Sequence, residues 1–163
     1  MDPENWLRDR VNGYAELGPH DVQAIQNFTF LWSIFEARRL NNDGNVPAIM
    51  AIVDRYAEAL RPEPFQQAIA HFRARYFDGA ALTDNFRRLY LPERDYKILV
   101  ERFVRGDALT LRDIVAALLI IVYRIRNNLF HGNKWDGDMQ DERMNFSQAN
   151  DVLMAFMDLD TLY

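Results

Sequence analysis

Hydrophobic positions along this chain recur at helical spacing. Val22, Ile25, Phe28, Leu31, Trp32 and Phe35 share one face of a helix expected from about Asp21 to Leu40, closed by Asn41-Asn-Asp-Gly44. The same period puts Ile49, Ile52, Val53, Tyr56 and Leu60 on one face of the next helix, ended by Arg61-Pro-Glu-Pro64. Phe65, Ile69, Phe72 and Tyr76 do likewise for another. Pro3 to about Val11 predicts a short first helix, and the pairs Asn12-Gly13 and Gly18-Pro19 behind it are turn signals. Between Asp78 and Asp107 the pattern breaks into short pieces, with helices expected around Asp84–Tyr90 and Glu93–Val104. A last helix is expected to start at a Ser147 cap and to bury Ala149, Val152, Leu153, Phe156 and Leu159.

One segment is not amphipathic. Ile114 to Val122 is apolar at all nine positions, so a helix containing it must be covered on every side. That run is about half of what a membrane-crossing helix needs, and Asp113 and Arg124 bracket it. It therefore reads as a core helix, beginning near Asp107 with Thr110 and Asp113 in capping-box positions and ending at Gly132 in a left-handed cap. No convincing strand, repeat or flexible linker interrupts the series. The pattern predicts an all-α, single-domain bundle spanning 1–163 with a long buried central helix. An apolar helix of this kind has more sides than a modest bundle covers, so a homodimer burying its end is expected.

Composition narrows the chemistry. With 163 residues and 49% hydrophobic content the chain can bury one substantial core. It has no cysteine, which excludes disulfides, thiolate metal sites and cysteine nucleophiles, and its start, Met1-Asp-Pro-Glu-Asn-Trp, lacks the features of a signal peptide. A cytoplasmic protein with no membrane partner is expected. The net charge of -5 argues against a general nucleic-acid coat, yet residues 61–105 carry 9 Lys+Arg against 6 Asp+Glu. The middle of the chain could therefore hold a phosphate chain. The acidic stretch Asp136-Gly-Asp-Met-Gln-Asp-Glu142 fails as a calcium loop, because the sixth position lacks glycine and the twelfth is Ser147. His20 and His71 stand alone and read as surface or capping residues.

The specific chemistry follows the apolar run at once: Tyr123-Arg-Ile-Arg-Asn-Asn-Leu-Phe-His-Gly132. Arg126, Asn127 and His131 stand in the order arginine, polar residue, four-residue spacing, histidine. In these residues, and in the aromatic run Phe30-Leu-Trp-Ser-Ile-Phe-Glu36, the chain resembles the HEPN superfamily of all-α domains. The resemblance implies a dimer whose two motifs meet in a cleft and, in many members, a metal-independent ribonuclease with no cofactor. RNA is then the expected substrate, with Arg126, Asn127 and His131 catalytic and Arg124, Asn128 and Lys134 binding it. Where some members place a tyrosine two residues after the histidine, this chain has Asn133, which removes the implication of regulation through that tyrosine.

The residue types suit cleavage by the ribose 2′-hydroxyl, which needs a proton acceptor, a donor for the leaving oxygen and positive charge on the phosphate. Histidine titrates near neutrality and arginine offers a fixed fork of donors. Helix geometry complicates the assignment, since Arg126 and His131 are five residues, or about 140°, apart around a regular helix. Asn127 and Arg124 share the histidine's face, so Arg124 rivals Arg126 for the phosphate role. The alternative is a non-catalytic HEPN interaction domain, binding a protein or nucleotide partner, in which Arg126 and His131 pair with acids to close the helix. Glu36 is the acid placed to serve in either case, and a regulatory protein partner is compatible with both.

Overall fold

The structure, a computed structural model, describes residues 2–131 and 142–159. Eight α-helices follow one another among these residues: α1 (Pro3–Arg10), α2 (Pro19–Arg39), α3 (Val46–Tyr56), α4 (Gln66–Tyr76), α5 (Asp84–Arg87), α6 (Asp95–Arg105), α7 (Leu111–Phe130) and α8 (Arg143–Met157). Two 3-10 turns, Ala57–Ala59 and Glu63–Phe65, join α3 to α4 across the proline-rich segment. The only extended pairing among the described residues is a single bridge between Phe77 and Leu82. The fold is all-α, as the periodicity predicts.

Local chemistry sets most boundaries. The Asn45 side chain accepts from the Ala48 amide at 2.9 Å to open α3, and Thr83 does the same for Phe86 at α5. Asn41 and Asn42 end α2 in the left-handed region, at φ 53° and 58°, where asparagine is the best tolerated of the residues with a side chain. Gly106, at φ 80°, ends α6 in the same way.

The central helix α7 is the axis of the core. Every residue from Val115 to Val122 is fully buried, covered by α3, α4, α6 and α8. One chain thus encloses Val115 to Val122 by itself, while Ile114 at the start of the run is partly buried. Thr110 caps the helix by accepting from the Asp113 amide at 3.2 Å, so α7 starts at Leu111 and not near Asp107. It ends at Phe130, with His131 as its C-cap; the expected Gly132 cap lies outside the described residues. The longest helix, α2, lies along α8, where Phe28 meets Phe146 at 5.3 Å and Phe35 meets Phe156 at 6.0 Å between ring centroids.

The last helix corrects the sequence reading. Ser147 lies inside α8, which begins at Arg143, one turn before the expected cap. The reason is tertiary: Asn145 interrupts the apolar pattern yet is buried, because His71 and Tyr76 on α4 take it up, while Gln148, also buried, bonds Asp151 on its own helix. The apolar stripe itself, Ala149, Val152, Leu153, Phe156 and Leu159, is buried as expected.

Candidate functional site

The end of α7 sends its polar side chains in different directions. Arg126 turns toward α2, where its guanidinium carbon lies 5.8 Å from the Trp32 ring centroid and 5.0 Å from that of Phe130. Its Nη1 donates to Asn127 Oδ1 at 3.0 Å, and its Nη2 lies 3.8 Å from Glu36 Oε2. Its Nε is buried without a hydrogen-bond partner among the described residues. Arg126 is thus partly desolvated and held, with 28% of its side-chain surface exposed.

Glu36 is itself fixed from two sides. Its Oε2 accepts from Trp32 Nε1 at 3.1 Å and its Oε1 from the Gly44 amide at 3.2 Å. The chain at Gly44 passes so close that a Cβ there would collide with the Glu36 carboxylate. The acid that the sequence singles out does reach Arg126, through a tryptophan on its own helix and the loop leading to α3.

Arg124 and Asn128 leave α7 on another side. Arg124 Nε donates to the Leu89 carbonyl at 3.0 Å, and Asn128 Nδ2 donates to the Arg88 carbonyl at 2.9 Å. Asn128 is 1% exposed. This corrects the substrate-binding role expected of it, because a side chain sealed against the backbone of residue 88 cannot meet a ligand. Arg124 likewise commits its Nε to the protein, which weakens its claim as the rival phosphate group. Together the two clamp the turn after α5, where Tyr90 takes φ 51°, a conformation uncommon outside glycine.

His131 differs from its neighbours. It is exposed at the end of α7, its amide donates to the Asn127 carbonyl at 2.9 Å, and its ring has no hydrogen bond to any described residue. Asn127 is 7% exposed and spends its side-chain oxygen on Arg126, so it orients the guanidinium and not the imidazole. Within one chain the structure joins Arg126, Asn127 and Glu36 and leaves His131 apart from them. Lys134 lies outside the described residues, as does the acidic stretch before Glu142.

Sequence reasoning missed a second polar cluster. Arg75 on α4 pairs with Glu142 at 2.7 Å, Asn145 Nδ2 donates to the other Glu142 oxygen at 2.8 Å, and His71 Nε2 donates to Asn145 Oδ1 at 3.2 Å. Burial holds the His71 imidazole below its ordinary value and pushes the Tyr76 phenol well above its own. His71 is therefore part of a half-buried network, neither a lone surface residue nor a cap. The i, i+4 spacing of His71 and Arg75 was the available signal, but nothing in the sequence pointed to their partners on α8.

Among the described residues no group of three His, Cys, Asp or Glu is placed to hold a metal ion, and no helix is long and apolar enough to cross a membrane. No family model, no curated protein and no solved structure matches the chain. Its class is set by the fold: an all-α bundle whose buried central helix ends in a divided polar cluster. Any narrower assignment rests on the residues of that cluster.

Proposed function

We propose that the protein is a metal-independent RNA endonuclease of the HEPN type, acting through the ribose 2′-hydroxyl. The observation that carries this reading is the state of His131, which is exposed and free of ring partners among the described residues. A histidine kept to close a buried helix would be covered and bonded; the ring of this one is exposed and bonded to no described residue. The neighbouring Phe130, 55% exposed, offers a face on which a base can stack.

Transesterification needs little from the protein, because the nucleophile already lies beside the phosphate. His131 accepts the proton of the 2′-hydroxyl as its oxygen attacks phosphorus. The bond to the 5′-oxygen breaks and that oxygen takes the proton back from the His131 imidazolium, leaving a 2′,3′-cyclic phosphate and a 5′-hydroxyl. Arg126, oriented by Asn127, supplies positive charge to the crowded phosphate. Since Arg126 and His131 leave one helix about 140° apart, they act on one phosphate when a two-fold dimer brings the histidine of one copy to the arginine of the other.

The test is cleavage of a mixed RNA pool in EDTA. The expected fragments carry cyclic phosphate and 5′-hydroxyl ends, DNA and 2′-O-methylated RNA remain intact, and His131→Ala stops the reaction. Fragments ending in 5′-phosphate, or activity restored only by magnesium, would sink the mechanism. Light scattering tests the dimer, and a strict monomer at micromolar concentration removes the composite cleft.

One observation favours the interaction-domain alternative. Arg126 is already engaged by Glu36, Asn127 and two aromatic rings, as a residue that braces α7 against α2 would be. A protein that binds RNA but cleaves none under any of these conditions would support it.

A further inference from the structure

A cleft of about 610 Å³ opens between the turn after α5 and helix α6, within the size range of small-ligand sites. Arg87, Lys97 and Arg105 line it against the single carboxylate of Glu101, with Phe86 and Tyr90 among its apolar members. Three cations and one acid thus line the cleft, on a molecule of net charge -5. Arg87 and Lys97 pair with Asp84 and Glu93, whose side chains are 83% and 86% exposed. Such surface pairs are worth little and yield readily to a phosphate. Arg105 is held by the Phe77 ring, 5.3 Å from its centroid, and has no carboxylate partner among the described residues.

Tyr90 turns this basic cleft into something more specific. Its backbone is left-handed, and it persists because Arg124 and Asn128 grip the two preceding carbonyls while its own amide donates to Arg87 at 3.0 Å. A half-exposed aromatic ring is thus held in a strained conformation at the lip of a cationic cleft. Stacking platforms for bases are built this way, an aromatic face beside charges that track the backbone.

We propose that the cleft is a nucleotide subsite, taking the base on Tyr90 and the phosphate on Arg105, Lys97 and Arg87. The inference rests on the RNA reading for its source of nucleotide: a strand engaged at His131 continues into the cleft. Helix geometry supports that path, because Arg124, Asn128 and His131, at spacings of four and three, lie on one side of α7. The side chains that fix the Tyr90 turn therefore stand one and two turns before the histidine, on its own side.

The experiment is fluorescence anisotropy of a labelled single-stranded RNA with the full chain, competed by AMP and by inorganic phosphate. Tyr90→Gly removes the ring while suiting the left-handed backbone, so it tests stacking without inviting misfolding. Both Tyr90→Gly and Arg105→Gln should weaken RNA binding at least tenfold, and Arg105→Gln should also flatten the salt dependence. Wild-type affinity in both variants, or no RNA or AMP binding by the parent, would overturn the subsite. AMP binding as tight as RNA would keep the nucleotide chemistry but overturn the strand assignment. His131→Ala cleavage, measured alongside, reports separately on catalysis. A parent that binds RNA through Tyr90 yet cuts nothing refutes the nuclease and leaves the cleft standing.

Discussion

Two arginine–glutamate pairs brace the described part of this bundle, and they differ in almost everything but residue type. Arg75 and Glu142 join α4 to the start of α8 at 2.7 Å, with 14% and 11% of their side chains exposed and Asn145 satisfying the second carboxylate oxygen. Arg126 and Glu36 join α7 to α2 at 3.8 Å, with 28% and 22% exposed. The first pair is short and enclosed, with both carboxylate oxygens bonded although Arg75 Nε is left without a partner among the described residues, so its loss strands a charge in the interior. The second is loose, and its arginine is held as much by aromatic faces as by the acid. A close buried pair is a poor place for chemistry, since nothing can enter. A loose one can exchange its acid for a phosphate at small cost.

The largest effect should come from breaking the tight pair. Glu142→Ala is expected to cost about 3–5 kcal/mol, read from the denaturation midpoint, because Arg75 is left buried without compensation. A loss below about 1 kcal/mol would put the two pairs on an equal footing and remove the contrast. Arg126→Ala should cost only about 1–2 kcal/mol, combining a weak ion pair with the lost contacts to Trp32 and Phe130, and should abolish RNA cleavage. The reverse pattern, a collapse in stability with cleavage retained per folded molecule, would make Arg126 a brace and nothing more.

Gly44→Ala sharpens the comparison without touching either arginine. The added methyl displaces the Glu36 carboxylate, so a stability loss of about 1–2 kcal/mol is expected, with Arg126 released from its acid. If Glu36 restrains Arg126 from meeting RNA, this variant should bind RNA more tightly than the parent; weaker binding would mean that Glu36 positions the arginine. The smallest effect concerns pH. The His71 pKa is lowered chiefly by burial, so the folded state disfavours the charged ring. The resulting penalty is absent well above the ordinary value of 6.5, appears as pH falls through it, and is complete below the folded value. Stability should therefore fall as pH drops through 6.5 toward the lowered folded value, and less so in His71→Gln; equal slopes in the two proteins would show that His71 is not the group responsible.

The amino-acid order by itself determined the helical class and most of the helices. An unbroken apolar run such as Ile114–Val122 can be satisfied only by cover on all sides, and caps such as Thr110 and Asn45 act within three residues. Such local rules also identified the end of α7 as polar and ranked Glu36 as the acid that could reach it. What they could not assign was direction. Arg124, Arg126, Asn128 and His131 crowd into eight positions, and neighbours decide which are consumed by the fold: Leu89 and Arg88 carbonyls for Arg124 and Asn128, Trp32 and Glu36 for Arg126, nothing among the described residues for His131. The start of α8 was hidden for the same reason, since Asn145 looks like loop chemistry until His71 and Glu142 are brought to it. The Tyr90 turn and its basic cleft depend on groups far apart in the chain, from Phe77 to Asn128, which only the packed bundle brings together. Short-range propensity and periodicity act through bonds a few residues long and are legible in order; which polar groups remain unspent is settled by contacts between distant segments, and so by the tertiary structure alone.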